Sequence, residues 1–265
     1  MKAFVTGASS GIGYEIAKYL SELGYDIIAV ARHREGLDRL RKEAKTLVET
    51  YGVDLSSEKN CIDLFNRIGN YDIDVVVNDA GSGVYGKFDE TDLEKELQMI
   101  RTNISALHIL TKLFLAKMVR ADKGYIMNVS SLAGFMPGPR MAAYFATKAY
   151  VTRLTQAVQQ ELAEKHSKVH VCVLCPTAVG TNFENIAGVK FGVPQQCPDY
   201  VAKYAVDAMF QKKKMILPGC GAKAAKNLSK ILPDSLNARV ASAMMHAEDE
   251  KEVKRVDYIS AFSII

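Results

Sequence analysis

The sequence is poor in residues that cross-link or stiffen a chain: its 265 residues include no tryptophan, seven prolines and five cysteines. An odd number of scattered cysteines does not suit a disulfide framework and indicates a reducing compartment. Because the chain starts directly in a strand pattern with no cleavable leader, we predict a cytoplasmic location. Cys172 and Cys175 spell Cys-x-x-Cys, but on a strand they point to opposite faces and no second ligand pair accompanies them, so no metal is expected.

Long hydrophobic runs and a strong charge of one sign are also missing. The longest apolar strand candidate, 169–175, is interrupted by His170 and is far shorter than the ~18 residues that span a bilayer. Lys and Arg total 34 against 30 Asp and Glu, a dispersed net charge of +4 that offers no groove for nucleic acid. With 48% apolar residues and no repeats or linkers, residues 1–265 are predicted to form a single domain, with a core at 1–218 and an extension at 219–265.

Short β-branched runs alternate with helical patterns along the core. The predicted strands are 3–6, 26–31, 47–53, 74–78, 124–129, 169–174 and 215–217. The predicted helices are 11–23, 35–45, 57–68, 93–119, 144–165 and 198–211. Such alternation, with right-handed crossovers, predicts a doubly wound, Rossmann-like three-layer α/β sandwich around a seven-stranded parallel sheet. A ligand would then bind at the carboxyl ends of the strands, near the topological switch point.

The extension carries two amphipathic helix candidates, 222–232 and 235–247, with apolar residues at helical spacing. We interpret them as a helical appendage that caps the cleft or forms a subunit contact. Because lysines and arginines accompany the apolar residues, a basic helix lying on a membrane surface is the alternative.

The first strand leads into the first helix through a glycine-rich loop, TGASSGIG at 6–13. Glycines allow a tight turn and a close approach to a diphosphate, whose charge is attracted by the free N–H groups at the start of a helix. Three glycines can also simply make a tight turn, but at the first strand-to-helix junction of an alternating chain they favour a dinucleotide site. The candidate contacts are Gly7, Ser9, Ser10, Gly11, Ile12 and Gly13.

The second strand is followed by Arg32, at a position where a site that prefers NAD usually carries an acid for the ribose 2′-hydroxyl. A guanidinium instead binds a 2′-phosphate through two charge-assisted hydrogen bonds, so we predict NADP(H), with NAD(H) not excluded. Alternatively, Arg32 only faces solvent at a helix start. Asp54 and Leu55 follow the third strand, where the adenine would lie, although Asp54 and Ser56 are equally suited to cap the next helix.

Tyr144 and Lys148 lie one turn apart on a predicted helix and share one face. A tyrosine near its usual pKa of ~10 is a poor base, but a nearby ammonium and an oxidised nicotinamide favour the phenolate, which can exchange a proton with a carbinol oxygen. By itself, such a pair is common on helix surfaces. Here Ser130 and Ser131 follow the fifth strand and bring hydroxyl groups to the same strand-end cleft.

Together with Asn78-Asp79-Ala80-Gly81 after the fourth strand, these motifs resemble those of the short-chain dehydrogenase/reductase family over roughly residues 2–218. The family's Thr-Gly-x-x-x-Gly-x-Gly loop matches 6–13. Its Asn-Asn-Ala-Gly element matches 78–81, with Asp79 in place of the second Asn, a change that keeps the turn but alters its hydrogen bonding. The resemblance implies a catalytic tetrad of Asn103, Ser131, Tyr144 and Lys148, with Ser130 as a structural neighbour.

The resemblance also implies the remaining cofactor contacts. Lys148 would hold the nicotinamide ribose, and Asn103 would support a water chain that feeds protons to Lys148. Residues 176–181 resemble the family's carboxamide-binding Pro-Gly element, with Thr177 in place of Gly. The helices 93–119 and 144–165 resemble those of four-helix interfaces, which implies a homodimer or homotetramer. The implied cofactor contacts are Asn78, Ala80, Gly81, Tyr144, Lys148, Pro176, Val179 and Thr181.

The predicted activity is hydride transfer between NADP(H) and a small-molecule carbonyl or secondary alcohol, with Ser131 polarising the oxygen and Tyr144 exchanging the proton. Apolar residues after Ser131 and Thr181 favour an apolar ketone, aldehyde or hydroxysteroid-like substrate, unless they only pack a lid against the extension. The alternatives are an NAD(H)-preferring dehydrogenase, a non-catalytic dinucleotide sensor, and an epimerase or dehydratase. The apolar residues are Phe135, Met136, Pro137, Phe183, Ile186, Phe191 and Val193.

Overall fold

The computed structural model describes residues 1–247, and a parallel β-sheet forms its centre. Its strands are β1 (Lys2–Thr6), β2 (Asp26–Ala31), β3 (Val48–Gly52), β4 (Val75–Asn78), β5 (Tyr125–Val129), β6 (His170–Leu174), β7 (Val189–Phe191), β8 (Met215–Ile216) and β9 (Met245–Ala247). The main sheet has 7 strands in the order β3-β2-β1-β4-β5-β6-β8, and all of its neighbouring pairs are parallel. The order reverses between β1 and β4, which makes this pair the switch point. The predicted Rossmann-like sheet is confirmed.

Helices cover both faces of this sheet. They are α1 (Gly11–Glu22), α2 (Arg34–Glu43), α3 (Glu58–Ile68), α4 (Leu93–Ile100), α5 (Leu107–Ala121), α6 (Ala142–Glu164), α7 (Phe183–Ala187), α8 (Pro198–Phe210), α9 (Gly219–Ile231) and α10 (Asp234–Ala243). Side chains alternate along β1, so Ala3 and Val5 join the core under α1, α2 and α8, whereas Phe4 joins the core under α3, α5 and α6. This alternation explains why the strands are apolar on both faces.

The predicted helix 93–119 is wrong in one respect, because it is not a uniform α-helix. A π-helical segment, Arg101–Ala106, separates α4 from α5. Helical periodicity is too coarse to reveal a wide turn of this kind, which is frequently found at functional sites.

The predicted helix 235–247 is too long. The helix α10 ends at Ala243, and the following strand β9 pairs with β7 in an antiparallel, two-stranded sheet. Neither β7 nor the short helix α7 was predicted from the sequence. Such short elements depend on a distant partner rather than on local periodicity. The rest of the predicted extension, 248–265, lies outside the described residues. Across the part of the chain that the structure describes, no helix is long and apolar enough to cross a membrane.

Candidate active site

A cavity of about 1340 Å³ opens at the carboxyl ends of the strands, on both sides of the switch point. Gly13, Asn78 and Asn103, although predicted as site residues, do not line it. The other predicted residues do line it: Gly7, Ser9, Ser10, Gly11, Ile12, Arg32, Asp54, Leu55, Ala80, Gly81, Ser131, Tyr144, Lys148, Pro176, Val179 and Thr181.

The glycine-rich loop forms one wall of the cavity and meets the start of α1. Gly7 and Gly11 have φ angles of 71° and 61°, a left-handed conformation that favours glycine. Ser10 precedes α1, but its side chain makes no capping hydrogen bond. The loop also packs tightly against α2, because a Cβ on Gly36 would lie 2.1 Å from the Ser9 carbonyl oxygen. The wall therefore combines a helix N-terminus with a glycine backbone that a ligand can approach closely, and this combination suits a diphosphate.

Arg32 lines the end of the cavity at which the adenosine was predicted. Its side chain is exposed, and among residues 1–247 it forms no ion pair. Asp54 faces the same end, and its carboxylate accepts the Ser56 N–H at 3.0 Å. The helix α3 is capped by Ser57, whose hydroxyl accepts the Asn60 N–H at 3.3 Å. The alternative role of Asp54 and Ser56 as the cap of α3 is thus wrong.

Ser131, Tyr144 and Lys148 meet at the middle of the cavity. Lys148 Nζ lies 5.7 Å from the centre of the Tyr144 ring and donates a hydrogen bond to the Val129 carbonyl oxygen at 3.0 Å. The Ser131 hydroxyl is within hydrogen-bonding reach of the Tyr144 phenol. Ser130 lies behind them, and its hydroxyl donates to the Lys148 carbonyl oxygen at 2.8 Å. The fold thus brings a hydroxyl, a phenol and an amine to one place.

Burial dominates the protonation of this group. It raises the pKa of the Tyr144 phenol above its usual value, the negative charge of Asp79 raises it further, and the Ser131 hydrogen bond opposes the shift. Burial also lowers the pKa of Lys148, although Asp79 opposes this change. The predicted lowering of the Tyr144 pKa also requires an oxidised nicotinamide beside the phenol, and it stays a prediction. For the protein chain alone, desolvation sets the direction of the shift.

Asn103 lies in the π-helical segment, just beneath the cavity. Its amide accepts the Ser82 N–H at 3.0 Å and donates to the Ser82 carbonyl at 2.9 Å and to the Thr147 hydroxyl at 3.1 Å. A Cβ on Gly81 would lie 3.0 Å from Asn103 Oδ1 and 3.7 Å from Lys148 Nζ. The wide helical turn thus brings Asn103 close to Lys148 from the opposite side of the 78–81 turn.

Asn78 was expected to contact a cofactor, but the structure places its side chain elsewhere. Its amide nitrogen donates to Thr111 Oγ1 at 3.1 Å and to Asn128 Oδ1 at 2.9 Å, in a buried polar network. This network supports the turn that follows β4, and a contact between Asn78 and a cofactor stays a prediction. The N–H of Gly13 also has a partner within the protein, because it donates to the carboxylate of Asp79.

Two residues of the site were missed or undervalued in the sequence. Gly36 looks like an ordinary helical glycine, and only its contact with the Ser9 carbonyl oxygen shows why a side chain is excluded. Asp79 stood out as a departure from the family pattern. The structure shows that it lines the cavity and that burial raises the pKa of its carboxyl to about 7, with Lys148 opposing the shift.

The far end of the cavity is apolar. Phe135 and Pro137 do not line it, and Phe135 packs instead against the core around Val173. Phe183 lies 5.2 Å from the Tyr144 ring, measured between ring centres, and packs in the same cluster as Ala241 and Met245. Phe183 therefore both lines the cavity and packs against the extension. The apolar lining comprises Met136, Phe145, Phe183, Ile186, Phe191, Val193, Leu228, Ile231, Leu232, Val240, Met244 and Met245.

Fold and cavity together define a Rossmann-type α/β protein with a strand-end ligand site. A family model described as short chain dehydrogenase matches residues 1–188. An uncharacterized oxidoreductase of Staphylococcus epidermidis is 35% identical over 188 residues, which are 68% of this chain and 81% of that protein. The chain belongs to the short-chain dehydrogenase/reductase family, as its motifs predicted.

Solved structures share the fold over most of the chain. A short-chain dehydrogenase from Sphingobium yanoikuyae in complex with NADPH matches with a TM-score of 0.77 and 26% identity, covering 96% of this chain and 99% of its own. The bulky-bulky ketone specific alcohol dehydrogenase from Comamonas testosteroni matches with a TM-score of 0.73 and 26% identity, covering 88% and 95%.

Proposed function

We propose that the protein is an NADP(H)-dependent oxidoreductase that interconverts bulky, apolar carbonyl compounds and secondary alcohols, with Tyr144 as the general acid and base. One observation carries the proposal: Ser131, Tyr144 and Lys148 meet between the glycine-rich loop and the apolar end of a single cavity. A substrate oxygen beside the Tyr144 phenol would lie within reach of both hydroxyl groups.

The cavity fits a pyridine dinucleotide. The loop and the start of α1 would hold its diphosphate, Lys148 its nicotinamide ribose, and Val179 with Thr181 its carboxamide. The bound nicotinamide would supply or accept the hydride. Arg32 is exposed and forms no ion pair with the described residues 1–247, which favours a 2′-phosphate, and the similar Sphingobium enzyme is in complex with NADPH.

The protein's own residues would handle the proton. In reduction, Ser131 donates a hydrogen bond to the carbonyl oxygen and Tyr144 donates its proton. The raised pKa of Tyr144 keeps the phenol protonated before this step. Lys148 lies next to the phenol, and Asn103 fixes the turn on the far side of Lys148. In oxidation the same steps run backwards, and the phenol must first lose its proton.

The substrate would occupy the apolar end. Phe183, Phe191 and Leu228 offer no charge and no hydrogen bond through their side chains, so they favour a large hydrocarbon skeleton. The similar Comamonas enzyme is a bulky-bulky ketone specific alcohol dehydrogenase. Homo-oligomer formation and a cytoplasmic location stay predictions from the sequence.

A carbonyl screen tests the proposal, with consumption of NADPH or NADH followed by absorbance. We expect turnover of bulky ketones with NADPH, and we expect Arg32→Ala to reduce the preference for NADPH over NADH by about tenfold, because charge-assisted hydrogen bonds are lost. A clear preference of the wild type for NADH would refute the cofactor assignment. Tight NADPH binding without any turnover would favour a sensor, and product without net cofactor oxidation would favour an epimerase.

A further inference from the structure

Asp79 occupies an unusual place for an acid, directly under the loop proposed to hold a diphosphate. Its Oδ2 lies 2.6 Å from where a Cβ of Gly13 would be and 3.1 Å from that of Gly7. The Gly13 N–H donates to the carboxylate, and the Asp79 N–H donates to Thr6 Oγ1 at 3.0 Å. The carboxyl group is therefore fixed inside the bend of the loop.

The surroundings of Asp79 contain little that neutralises a negative charge. Residues 7–13 of the loop carry no ionisable side chain, and the end of β1 contributes only the Thr6 hydroxyl. The helix α6 contributes Lys148, which stabilises the carboxylate, and the Tyr144 phenol. Burial nevertheless prevails and brings the pKa of Asp79 to about 7. The carboxyl group is thus divided between its two forms near neutral pH.

An asparagine at position 79 would accept the same Gly13 hydrogen bond without any charge. The acid adds only the ability to become negative where a doubly charged diphosphate must bind. We propose that Asp79 couples dinucleotide binding to proton uptake, because the loop accepts a diphosphate more tightly when this carboxyl group is neutral. The inference rests on the proposed dinucleotide site and adds a regulatory residue to it.

The sign follows from electrostatic repulsion. A bound diphosphate disfavours the carboxylate, so binding raises the pKa of Asp79 and draws a proton from solution. As the pH rises through about 7, the carboxylate forms and affinity falls. Lys148 limits the effect by offsetting part of the negative charge.

NADPH affinity, measured by fluorescence titration from about pH 6 to about pH 8.5, tests the proposal. We expect the wild-type Kd to rise about tenfold more across this range than the Kd of D79N, whose loop is always uncharged. Groups shared by both proteins, such as the 2′-phosphate of NADPH, cancel in this comparison. D38N, which removes an exposed acid on α2 outside the cavity lining, is the matched control and should show the same rise in Kd as the wild type.

Lys148 also faces Asp79, so the effect of Lys148 protonation on the Kd of NADPH must be distinguished from the effect of Asp79 protonation. In K148M the pH step should persist and move upwards, because the cation that lowers the pKa of Asp79 is gone. If the step vanishes in K148M and persists in D79N, the titrating group is Lys148 and the proposal is overturned.

Calorimetry provides a second readout that does not depend on activity. The binding heat of NADPH at about pH 7, compared among buffers of different ionisation enthalpy, should reveal greater proton uptake by the wild type than by D79N. If D79N does not fold, D79S replaces it. Equal uptake and equal pH dependence would overturn this inference alone. Failure of both proteins to bind NADPH would overturn the proposed function as well.

Discussion

The two ends of the cavity are built by different means. At the dinucleotide end, hydrogen bonds fix the backbone: the Thr6 hydroxyl accepts the N–H groups of Asp79 and Ala80 at 3.0 and 3.1 Å. The substrate end is closed by α7, α9, α10 and the β7–β9 pair, whose lining is mostly apolar and partly exposed, with Ile231 80% exposed. Directional bonds on strand ends specify one geometry, whereas apolar contacts tolerate several. Substitutions at the dinucleotide end should therefore change the Kd of NADPH, and substitutions at the substrate end should change the KM of the ketone.

The largest effect is expected at Tyr144, where the two ends meet. Y144F removes the proton donor, so turnover of a bulky ketone should fall about a thousandfold while the Kd of NADPH changes by less than about twofold. Steady-state kinetics and fluorescence titration measure the two quantities. Y150F is the control, because Tyr150 lies on the same helix and contacts His108 outside the cavity at 2.7 Å. A Y144F variant with near-normal turnover would remove Tyr144 from the mechanism.

A clear effect confined to the dinucleotide end is expected at Gly36. In G36A the new Cβ would lie 2.1 Å from the Ser9 carbonyl oxygen, and the forced shift of the loop should weaken NADPH binding about tenfold. G221A is the matched control, because its Cβ would meet nothing within 4 Å. Both Kd values come from fluorescence titration, with thermal unfolding to verify the fold. Equal affinities in G36A and G221A would show that the loop is less constrained than its packing indicates.

The smallest effect is expected at the substrate end. L228S replaces an apolar side chain of the lining, so the KM for a bulky ketone should rise about fivefold, whereas the Kd of NADPH stays the same. K230S, an exposed change on the same helix outside the lining, should leave both constants unaltered. If L228S weakens NADPH binding as much as it raises KM, the two ends are not separable.

Local patterns were sufficient to predict most of the dinucleotide end. Strands of the main sheet, the glycine-rich loop and the serine, tyrosine and lysine of the site each carry a signal in the spacing of neighbouring residues. The continuous apolar run around Phe4, for example, follows from burial of both faces of β1. The site could be predicted because the parallel topology gathers the strand ends at one edge.

The substrate end was harder to predict because its elements depend on distant partners. The strand β9 forms against β7, with Phe191 opposite Met245, and a continuation of α10 was the better local interpretation. The π-helical segment that holds Asn103 has the same apolar spacing as a regular helix. Neither feature has a short-range signal, since each is stabilised by contacts formed only after the chain has folded.

The sequence by itself determined the order of strands and helices, the family and the chemical groups available for catalysis, because periodicity and motif spacing are local properties. Only the tertiary structure decided that Gly36 touches the Ser9 carbonyl, that Asn78 supports a turn and that Asp79 lies inside the loop. The protonation states of Tyr144 and Asp79 were likewise decided only by the tertiary structure. A pKa depends on the water and charges around a group, and both are set by residues far away in the chain.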